Sequence, residues 1–430
     1  MKRTAVIFLL LAVASVAAMA QDGEKVKVKP YGFVRNYLNF DSRQTYTVIG
    51  GEYHMLPYDR EIRDGVDLNA VPHAQLQALT SRIGLALTGP QWLGMQSSGR
   101  VEGDFGGFGS NNTVLRLRLA YVKLSRQTEG RYGEVLLGQD WHPLSGEVMP
   151  EVLGMAAGAP FRPHSRTPQL RATAYWGSFG LTAALLYQLQ YMNNGPTSAT
   201  DATSTASISF ANNALLPEAF LGVNFKSRGW YAQLGIDGQT LRPRTHAVGT
   251  DGKVHKVDEH VWSLTPTAYA QYVSGMWSVK CRTLLAANTS HLNQLVGYAV
   301  VDADADGTWH YSPLRAAIGY LNLAYGKKVR GNLFLGYMQN LGSRRDLWLD
   351  PTTGSYHIYM KGGETFTHLH CIWRIAPSVS YNARAFNLGL EYELTGAAYG
   401  NIGPNGRIRH DGYRHTVVGH RVCALVKYNF

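Results

Sequence analysis

The chain has 430 residues, and its 41 lysines and arginines outnumber its 30 aspartates and glutamates, so the formal charge is +11 at pH 7. Beyond residue 20, no stretch is long and apolar enough for a membrane helix, which excludes a helical membrane protein. A basic surplus can indicate nucleic acid, anionic lipid or a basic pore lining, but no nucleic-acid motif appears, and we predict no nucleic-acid partner.

Residues 1–20 have the composition of a secretory signal peptide. The segment opens with two basic residues, continues with an apolar run and ends in an Ala-Met-Ala sequence that matches the cleavage pattern. We therefore expect export of the chain, with residues 21–430 forming a single mature domain.

Period-two alternation of apolar and polar residues dominates the rest of the chain. Such alternation over segments of roughly ten residues, separated by turn residues, is typical of strands in a membrane barrel. Sixteen segments follow this pattern, at 27–41, 72–88, 96–106, 112–125, 131–140, 168–176, 179–191, 216–226, 229–241, 260–273, 276–287, 312–325, 329–340, 366–376, 384–397 and 416–430.

The connections between these segments alternate in length. Short turns join one set of neighbours, and most connections of the other set are long, which is the pattern of an outer-membrane barrel with periplasmic turns and external loops. We therefore predict an all-β fold, a sixteen-stranded antiparallel transmembrane β-barrel. The long connections lie at 42–71, 141–167, 192–215, 242–259, 288–311, 341–365 and 398–415.

The two faces of a strand differ in chemistry, and the last strand carries a further signal. In 384–397, Leu388 and Leu390 share one face, and Glu391 and Glu393 share the other. A membrane barrel turns the apolar face to lipid and the polar face to the lumen. The last alternating strand ends on Phe430, which resembles the signal read by the barrel-assembly machinery. These features predict the bacterial outer membrane, with its lipids and lipopolysaccharide, as the environment.

Three consecutive stretches resemble one known family. They read GRVEGDF at 99–105, LRLRLAY at 115–121 and GEVLLGQDW at 133–141. This run resembles the DcaP-like porins, whose strands carry G-k-v-e-g-D-F, l-R-h-A-y and l-l-G-Q-t-w-s-P patterns. The matching positions are Glu102, Asp104, Phe105, Arg116 or Arg118, Ala120, Tyr121, Gly138, Gln139, Trp141 and Pro143, whereas Asp140 stands where the family often has Thr.

The resemblance implies a sixteen-stranded porin that forms a homotrimer in a Gram-negative outer membrane. Family members often carry an N-terminal coiled-coil extension, and residues 21–26 leave no room for one before the first strand. In sixteen-stranded porins the third external loop folds into the lumen. We therefore expect 141–167 to narrow the pore, with Glu147 and Glu151 in the constricting segment. The alternative is that this loop forms an external cap or a partner contact.

Strand parity places many charged side chains on the lumen face. Rings of arginine and lysine favour anions, so we predict a preference for small polar or anionic solutes. The alternative is that these charges only satisfy one another in a wet interior. The predicted basic lining is Arg82, Arg100, Arg116, Arg118, Arg171, Arg282 and Arg421, and the facing carboxylates are Glu102, Asp104, Glu391 and Glu393.

One external loop contains half of a calcium-binding pattern. Asp302, Asp304 and Asp306 alternate before a glycine, as at the start of an EF-hand loop. The twelfth position, which should be a bidentate Glu, is Pro313. Calcium binding here and a merely soluble acidic loop both remain open, and no other cofactor is predicted.

Two hypotheses of function follow. The first is a porin for passive transport of ions and small hydrophilic solutes, preferentially anionic. The second is a barrel plugged by its loops that acts as a structural or assembly partner in an envelope complex. We predict no enzymatic activity, because no histidine is paired by motif with a nucleophile.

Overall fold

The computed structural model describes residues 26–107, 113–154, 158–198 and 203–430, apart from the side chains of residues 364 and 365. The predicted signal peptide lies outside these residues. The dominant element is one closed antiparallel barrel of sixteen strands, in which each strand pairs with its neighbours in sequence. The predicted fold class is thereby confirmed. Among the described residues, no helix combines the length and apolarity needed to cross a membrane.

The strand bounds follow the alternating segments closely. The second strand has two parts that both pair with the first strand. In chain order the strands are β1 Lys27–Asp41, β2 His73–Gln77 with Arg82–Trp92, β3 Met95–Asp104, β4 Arg116–Thr128, β5 Arg131–Trp141, β6 Arg166–Trp176, β7 Phe179–Leu186, β8 Glu218–Ser227, β9 Trp230–Leu241, β10 Val261–Ser274, β11 Trp277–Ala287, β12 Arg315–Gly326, β13 Val329–Gly342, β14 Leu369–Ala383, β15 Phe386–Tyr399 and β16 His415–Asn429.

Three strands depart clearly from the prediction. β14 begins at Leu369 and continues to Ala383, whereas the predicted segment was 366–376. The other two, β2 and β7, differ for local reasons. β2 is interrupted at 78–81, where the Ser81 hydroxyl accepts from the Arg35 amide at 3.0 Å and donates to the Arg35 carbonyl at 3.4 Å. A side chain thus replaces the missing backbone pairing. β7 ends at Leu186 rather than residue 191, because the Gln188 side chain turns to the backbone and amide of Asn193.

The barrel closes between its first and last strands. β1 pairs with β16 from Phe33 opposite Asn429 to Asp41 opposite Arg421. Gly32 and Phe430 then exchange both backbone hydrogen bonds, each at 3.1 Å. A Cβ at Gly32 would meet the Phe430 ring at 2.6 Å, so the close approach at the seam depends on glycine.

The two ends of the barrel differ as predicted. Two-residue turns close one end, here called the turn end, and positive φ angles at Arg228 and Gly229 show the mirror-image turn geometry that matches twisted strands. Long connections occupy the other end, here called the loop end. They are the first loop 42–72, the second 105–115, the third 142–165, the fourth 187–217, the fifth 242–260, the sixth 288–314, the seventh 343–368 and the eighth 400–414.

The wall of the barrel has an apolar exterior and a polar interior. On β15, Leu390 is 53% exposed, while the neighbouring Glu391 and Glu393 are buried inside. The alternation of the sequence therefore translates directly into two faces.

Near the loop end, the interior is filled by an apolar core made by the loops. Met55 of the first loop, Phe161 of the third and Leu295 of the sixth are fully buried, and they belong to one cluster with inward residues such as Ile318 and Phe334. A three-stranded sheet of the sixth and seventh loops, formed by 298–303, 309–313 and 358–359, adds to this filling.

Candidate functional site

The third loop lies inside the barrel and contacts the wall opposite its own strands. Lys280 on β11 donates to the Met149 carbonyl at 3.0 Å, and the Tyr320 hydroxyl on β12 donates to the Val148 carbonyl at 2.8 Å. Arg282 on β11 donates to the carbonyls of residues 144 and 145. The loop is thus held from several strands at once.

Glu151 forms the charged contact at the far side of this loop. Its carboxylate lies 2.5 Å from Arg330 Nε on β13 and 3.1 Å from Lys280 Nζ. Burial raises the pKa of Glu151, but the hydrogen bond from Arg330 and the charge of Lys280 outweigh it and lower the pKa to about 2. The contact therefore stays ionised at any ordinary pH.

A buried carboxylate accepts hydrogen bonds from the backbone of the third loop. Glu391 on β15 accepts hydrogen bonds from the amides of Leu153 at 2.9 Å and Gly154 at 3.3 Å. Leu153 packs onto Gly389, where an added Cβ would meet its side chain at 2.5 Å. Glu391, predicted as a lumen carboxylate, therefore binds the third loop.

Arg374 on β14 joins the first loop to the third. Its guanidinium donates to the carbonyls of His54 at 2.8 Å, Met55 at 3.1 Å and Ala159 at 2.9 Å. The His54 ring contacts Glu393 through Nδ1 at 2.7 Å. Burial, with the nearby arginines, lowers the pKa of His54 to about 4, so at pH 7 the uncharged ring donates its Nδ1 proton to the Glu393 carboxylate. Glu393, the second predicted lumen carboxylate of β15, thus positions the first loop.

The predicted arginines on β2 and β4 are largely neutralised. Arg116 makes a two-point pair with Asp104 at 2.7 and 3.0 Å. Arg118 contacts Asp104 at 2.6 Å and Glu102 at 2.8 Å, and Arg82 lies 3.4 Å from Glu102. All the carboxylates of this network are buried. The geometry of these five residues is that of charges satisfying one another.

Two further predicted arginines pair with carboxylates, and a third is exposed to the lumen. Arg421 pairs with Asp41 at 2.7 Å, and Arg171 pairs with Asp140 at 2.7 Å. Arg100 lies over the Tyr31 ring, 5.5 Å from its centroid, and is exposed to the lumen. Arg100 is therefore the predicted arginine whose charge is most available to a solute.

A water-accessible cavity of about 750 Å³, here called the vestibule, lies between the turn end and the third loop. It extends from turn residues Gly130 and Gly177 to Pro143 and Gly146 of the loop, and Glu147 is in its wall. Five basic and three acidic side chains line it, which gives a basic excess. They are Arg100, Lys123, Arg131, Arg171 and Lys226 with Glu134, Asp140 and Glu147.

Two arginines that the sequence analysis did not select lie where the third loop returns to β6. Arg162 and Arg166 are both fully buried. Their guanidinium groups lie over the Trp141 ring, with centroid distances of 5.6 and 4.7 Å. The available signal was the alternation Arg162-Pro163-His164-Ser165-Arg166, which places basic residue types at every second position at the end of the loop.

A buried histidine and carboxylate cluster joins the third and sixth loops to β8. Glu218 Oε1 lies 2.9 Å from His142 Nε2 and 3.1 Å from His291 Nε2, and these three residues are the one potential metal-binding group among the described residues. The Leu144 amide donates to His142 Nδ1 at 3.1 Å. The His142 proton therefore lies on Nε2 and points at Glu218, whereas a metal-bound histidine would need Nε2 free. The cluster fits a hydrogen-bonded lock better than a zinc site.

The three aspartates of the sixth loop do not converge. Asp304 contacts His310 at 2.8 Å, Asp302 lies 3.6 Å from Arg345, and Asp306 accepts the amide of residue 308 at 2.9 Å. All three bind different partners in an exposed hairpin. Within the part of the chain that is described, they offer no common position for Ca²⁺.

Comparisons with known proteins show the fold. No protein-family model and no curated protein matches the sequence. Among solved structures, the outer membrane channel DcaP of Acinetobacter baumannii is 16% identical, with a TM-score of 0.62 over 96% of this chain and 99% of that one. OmpT, an outer membrane protein of Vibrio cholerae in its trimer form, is 12% identical, with a TM-score of 0.52 over 94% and 99%. The resemblance to DcaP-like porins is confirmed at the level of the fold.

Proposed function

We propose that this protein is an outer-membrane porin that allows passive diffusion of small hydrophilic solutes, with a preference for anions. In this proposal the signal peptide at 1–20 directs export, and the apolar exterior of the barrel faces outer-membrane lipid. The fold shared with DcaP and OmpT supports this environment, since both are outer membrane proteins.

The third loop carries the proposal. It is fastened inside the barrel by Lys280, Arg282, Arg330 and Glu391, all on walls far from its own strands. A loop held in this way narrows the lumen and sets the size and charge of what passes. The constriction loop predicted at 141–167 is therefore part of the proposal.

The charge of the vestibule supports anion preference. Its lining has five basic and three acidic side chains, and two acidic groups, Asp140 and Glu134, are already paired with Arg171 and Lys123. In a water-filled cavity with protein walls, the remaining excess raises the local concentration of anions.

Planar-bilayer recordings test the proposal. The purified barrel should give steady single-channel conductance, and its reversal potential in a KCl gradient should have the sign of an anion-selective pore. Liposome swelling with sugars and carboxylic acids of similar size should be faster for the acids. Cation selectivity would contradict the anion preference, and an absence of conductance would contradict the porin.

The assembly is also part of the proposal. A homotrimer is supported by the resemblance at 99–143 and by the trimer form of OmpT. Insertion would use the barrel-assembly machinery, which reads the strand that ends at Phe430, and lipopolysaccharide would contact the outer rim. Chemical crosslinking in outer-membrane vesicles should give a trimer band.

A second candidate function has its own observation. The apolar core near the loop end, which includes Tyr53, Phe161 and Leu295, fills lumen that an open pore would leave wet. A plugged barrel serving as a structural or assembly partner in an envelope complex would have such a core. It would conduct no ions in bilayers while remaining folded, so the recordings above separate the two functions.

A further inference from the structure

We propose that Arg162 and Arg166 form a binding site for a small oxyanion, a carboxylate or a phosphate, where the third loop returns to the barrel wall. This inference rests on the pore proposed above and deepens it, because it names a position inside the barrel, beside the third loop, and the chemistry bound there.

The first observation is that the two guanidinium groups lack partners. All three nitrogens of Arg166, and Nε and Nη1 of Arg162, are buried without a hydrogen bond among the described residues. The sixth nitrogen, Arg162 Nη2, contacts His164 Nδ1 at 2.5 Å. Within the same ranges, no carboxylate lies within ion-pair distance of either side chain.

The other interior arginines show the contrast. Arg116 and Arg421 each have a two-point contact with a carboxylate, and Arg374 has three carbonyls. Burial of a charge without a partner is strongly unfavourable. Among the described residues, other interior arginines, such as Arg282, have at most one buried nitrogen without a partner, whereas Arg162 has two and Arg166 has three. These nitrogens of Arg162 and Arg166 therefore mark the place of a ligand that is itself anionic.

The surroundings offer donors to such a ligand. His164 Nδ1 accepts from Arg162, so its proton lies on Nε2 and donates to the Tyr53 hydroxyl at 2.6 Å. The Tyr53 hydroxyl can then donate its own proton to a bound ligand. His164 adds no charge of its own, because burial and the neighbouring arginines hold its pKa well below the usual range.

The contact with Trp141 occupies no N–H group of the two arginines with an acceptor atom. The Cζ atoms of Arg162 and Arg166 lie over the indole, 5.6 and 4.7 Å from the ring centroid. The planar N–H pairs of guanidinium groups suit the paired oxygens of a carboxylate or a phosphate. Chloride is a single atom and cannot accept two parallel N–H bonds on separate oxygens, so the site should bind oxyanions in preference to chloride.

Oxyanion-dependent stability tests the site directly. The midpoint of thermal unfolding of the purified barrel, measured at pH 7 and constant ionic strength, should rise as succinate or phosphate replaces chloride, because a ligand that binds the folded state stabilises it. Equilibrium dialysis with labelled phosphate should show saturable binding. No rise and no binding in the wild type would overturn the site.

Matched variants make the test specific. Arg166→Met and Arg162→Met should weaken the apparent oxyanion affinity at least about tenfold, as expected on losing a charge-assisted hydrogen bond. In oxyanion-free buffer they should unfold at a higher temperature than the wild type, because an unpaired buried charge is gone. Arg60→Met, which removes an exposed arginine of the first loop outside the vestibule, should keep the oxyanion effect. An undiminished effect in both site variants, or lower stability of both in oxyanion-free buffer, would overturn the proposal.

The test of the oxyanion site and the test of the porin function can fail independently. Anion-selective conductance with no oxyanion effect on stability would overturn this site and leave the pore standing. An oxyanion effect lost in Arg166→Met, in a barrel that conducts nothing, would support the site and contradict the pore.

Discussion

Arg330 on β13 holds Glu151 of the third loop by two nitrogens, Nε at 2.5 Å and Nη2 at 2.9 Å. The pair joins a loop that leaves the wall at β5 to a strand on another part of the barrel. Since Arg330 is the second residue of its strand, the contact lies close to the turn end, deep in the lumen.

Removal of the Glu151 charge should loosen the third loop. Glu151→Gln should give larger and noisier conductance steps, because Arg330 and Lys280 lose their shared partner. The pKa of Glu151 is lowered to about 2, so its contribution is complete above the unfolded value of about 4.3 and is lost only as the pH falls through about 2. Wild-type conductance should therefore not change through this contact between pH 8 and 5. Glu61→Gln, which alters an exposed ion pair of the first loop, should match the wild type.

Ion selectivity should depend on Arg100, which is exposed to the lumen, rather than on Arg116, which is paired with Asp104. Arg100→Gln should lower the ratio of chloride to potassium permeability, by about twofold for one ring charge. Arg116→Gln should change this ratio less, because Asp104 already neutralises Arg116. It should instead lower the free energy of unfolding by about 3 kcal/mol, as expected when a buried pair is broken. Reversal potentials and urea unfolding measure the two effects, and a larger selectivity change in Arg116→Gln would contradict this assignment.

Acid should destabilise the attachment of the first loop through His54. Its pKa is about 4 in the folded protein against about 6.5 in the unfolded chain, so the unfolded chain binds the proton more readily. The contribution is complete above pH 6.5 and falls by about 3 kcal/mol as the pH drops to 4. Arg374, Arg421 and Glu393 face this ring.

Urea unfolding across this pH range measures the effect. His54→Gln keeps a donor for Glu393 and should remove most of the pH dependence. His310→Gln, at an exposed ion pair, should keep it. Equal pH dependence in His54→Gln and the wild type would show that His54 is not the responsible group.

The seam should not tolerate a side chain at Gly32. Gly32→Val would place carbon atoms against the Phe430 ring and the Arg82 carbonyl, so β1 could not approach β16 and β2 together. We expect most of the protein to fail to close, seen as loss of the compact, heat-modifiable band on cold gel electrophoresis. Gly331→Val on β13, where a Cβ meets nothing within 4 Å, should fold normally.

The strands and their faces were predictable from the chain alone. Alternation at period two is a local property, so β15 could be assigned with its leucines outward and its glutamates inward. The conformation of 78–81 was less accessible, because it depends on the Ser81 side chain meeting Arg35, a residue 46 positions away.

The charged site was predictable only in part. Parity placed Arg116 and Asp104 on the same interior face, but whether such charges meet a solute or each other depends on cross-strand register, which is set by pairing between distant segments. Arg162 and Arg166 were overlooked because the alternation at 162–166 does not by itself show that the end of the third loop is buried inside the barrel.

The sequence by itself determined the sixteen strands, the barrel and the direction of each strand face, because these follow from a local repeat and from the spacing of turns. Only the tertiary structure decided which of the inward charges are neutralised and which loops enter the lumen. The contacts responsible, such as Arg330 with Glu151 and Arg374 with Ala159, join residues about 180 and 215 positions apart, and no local pattern carries that information.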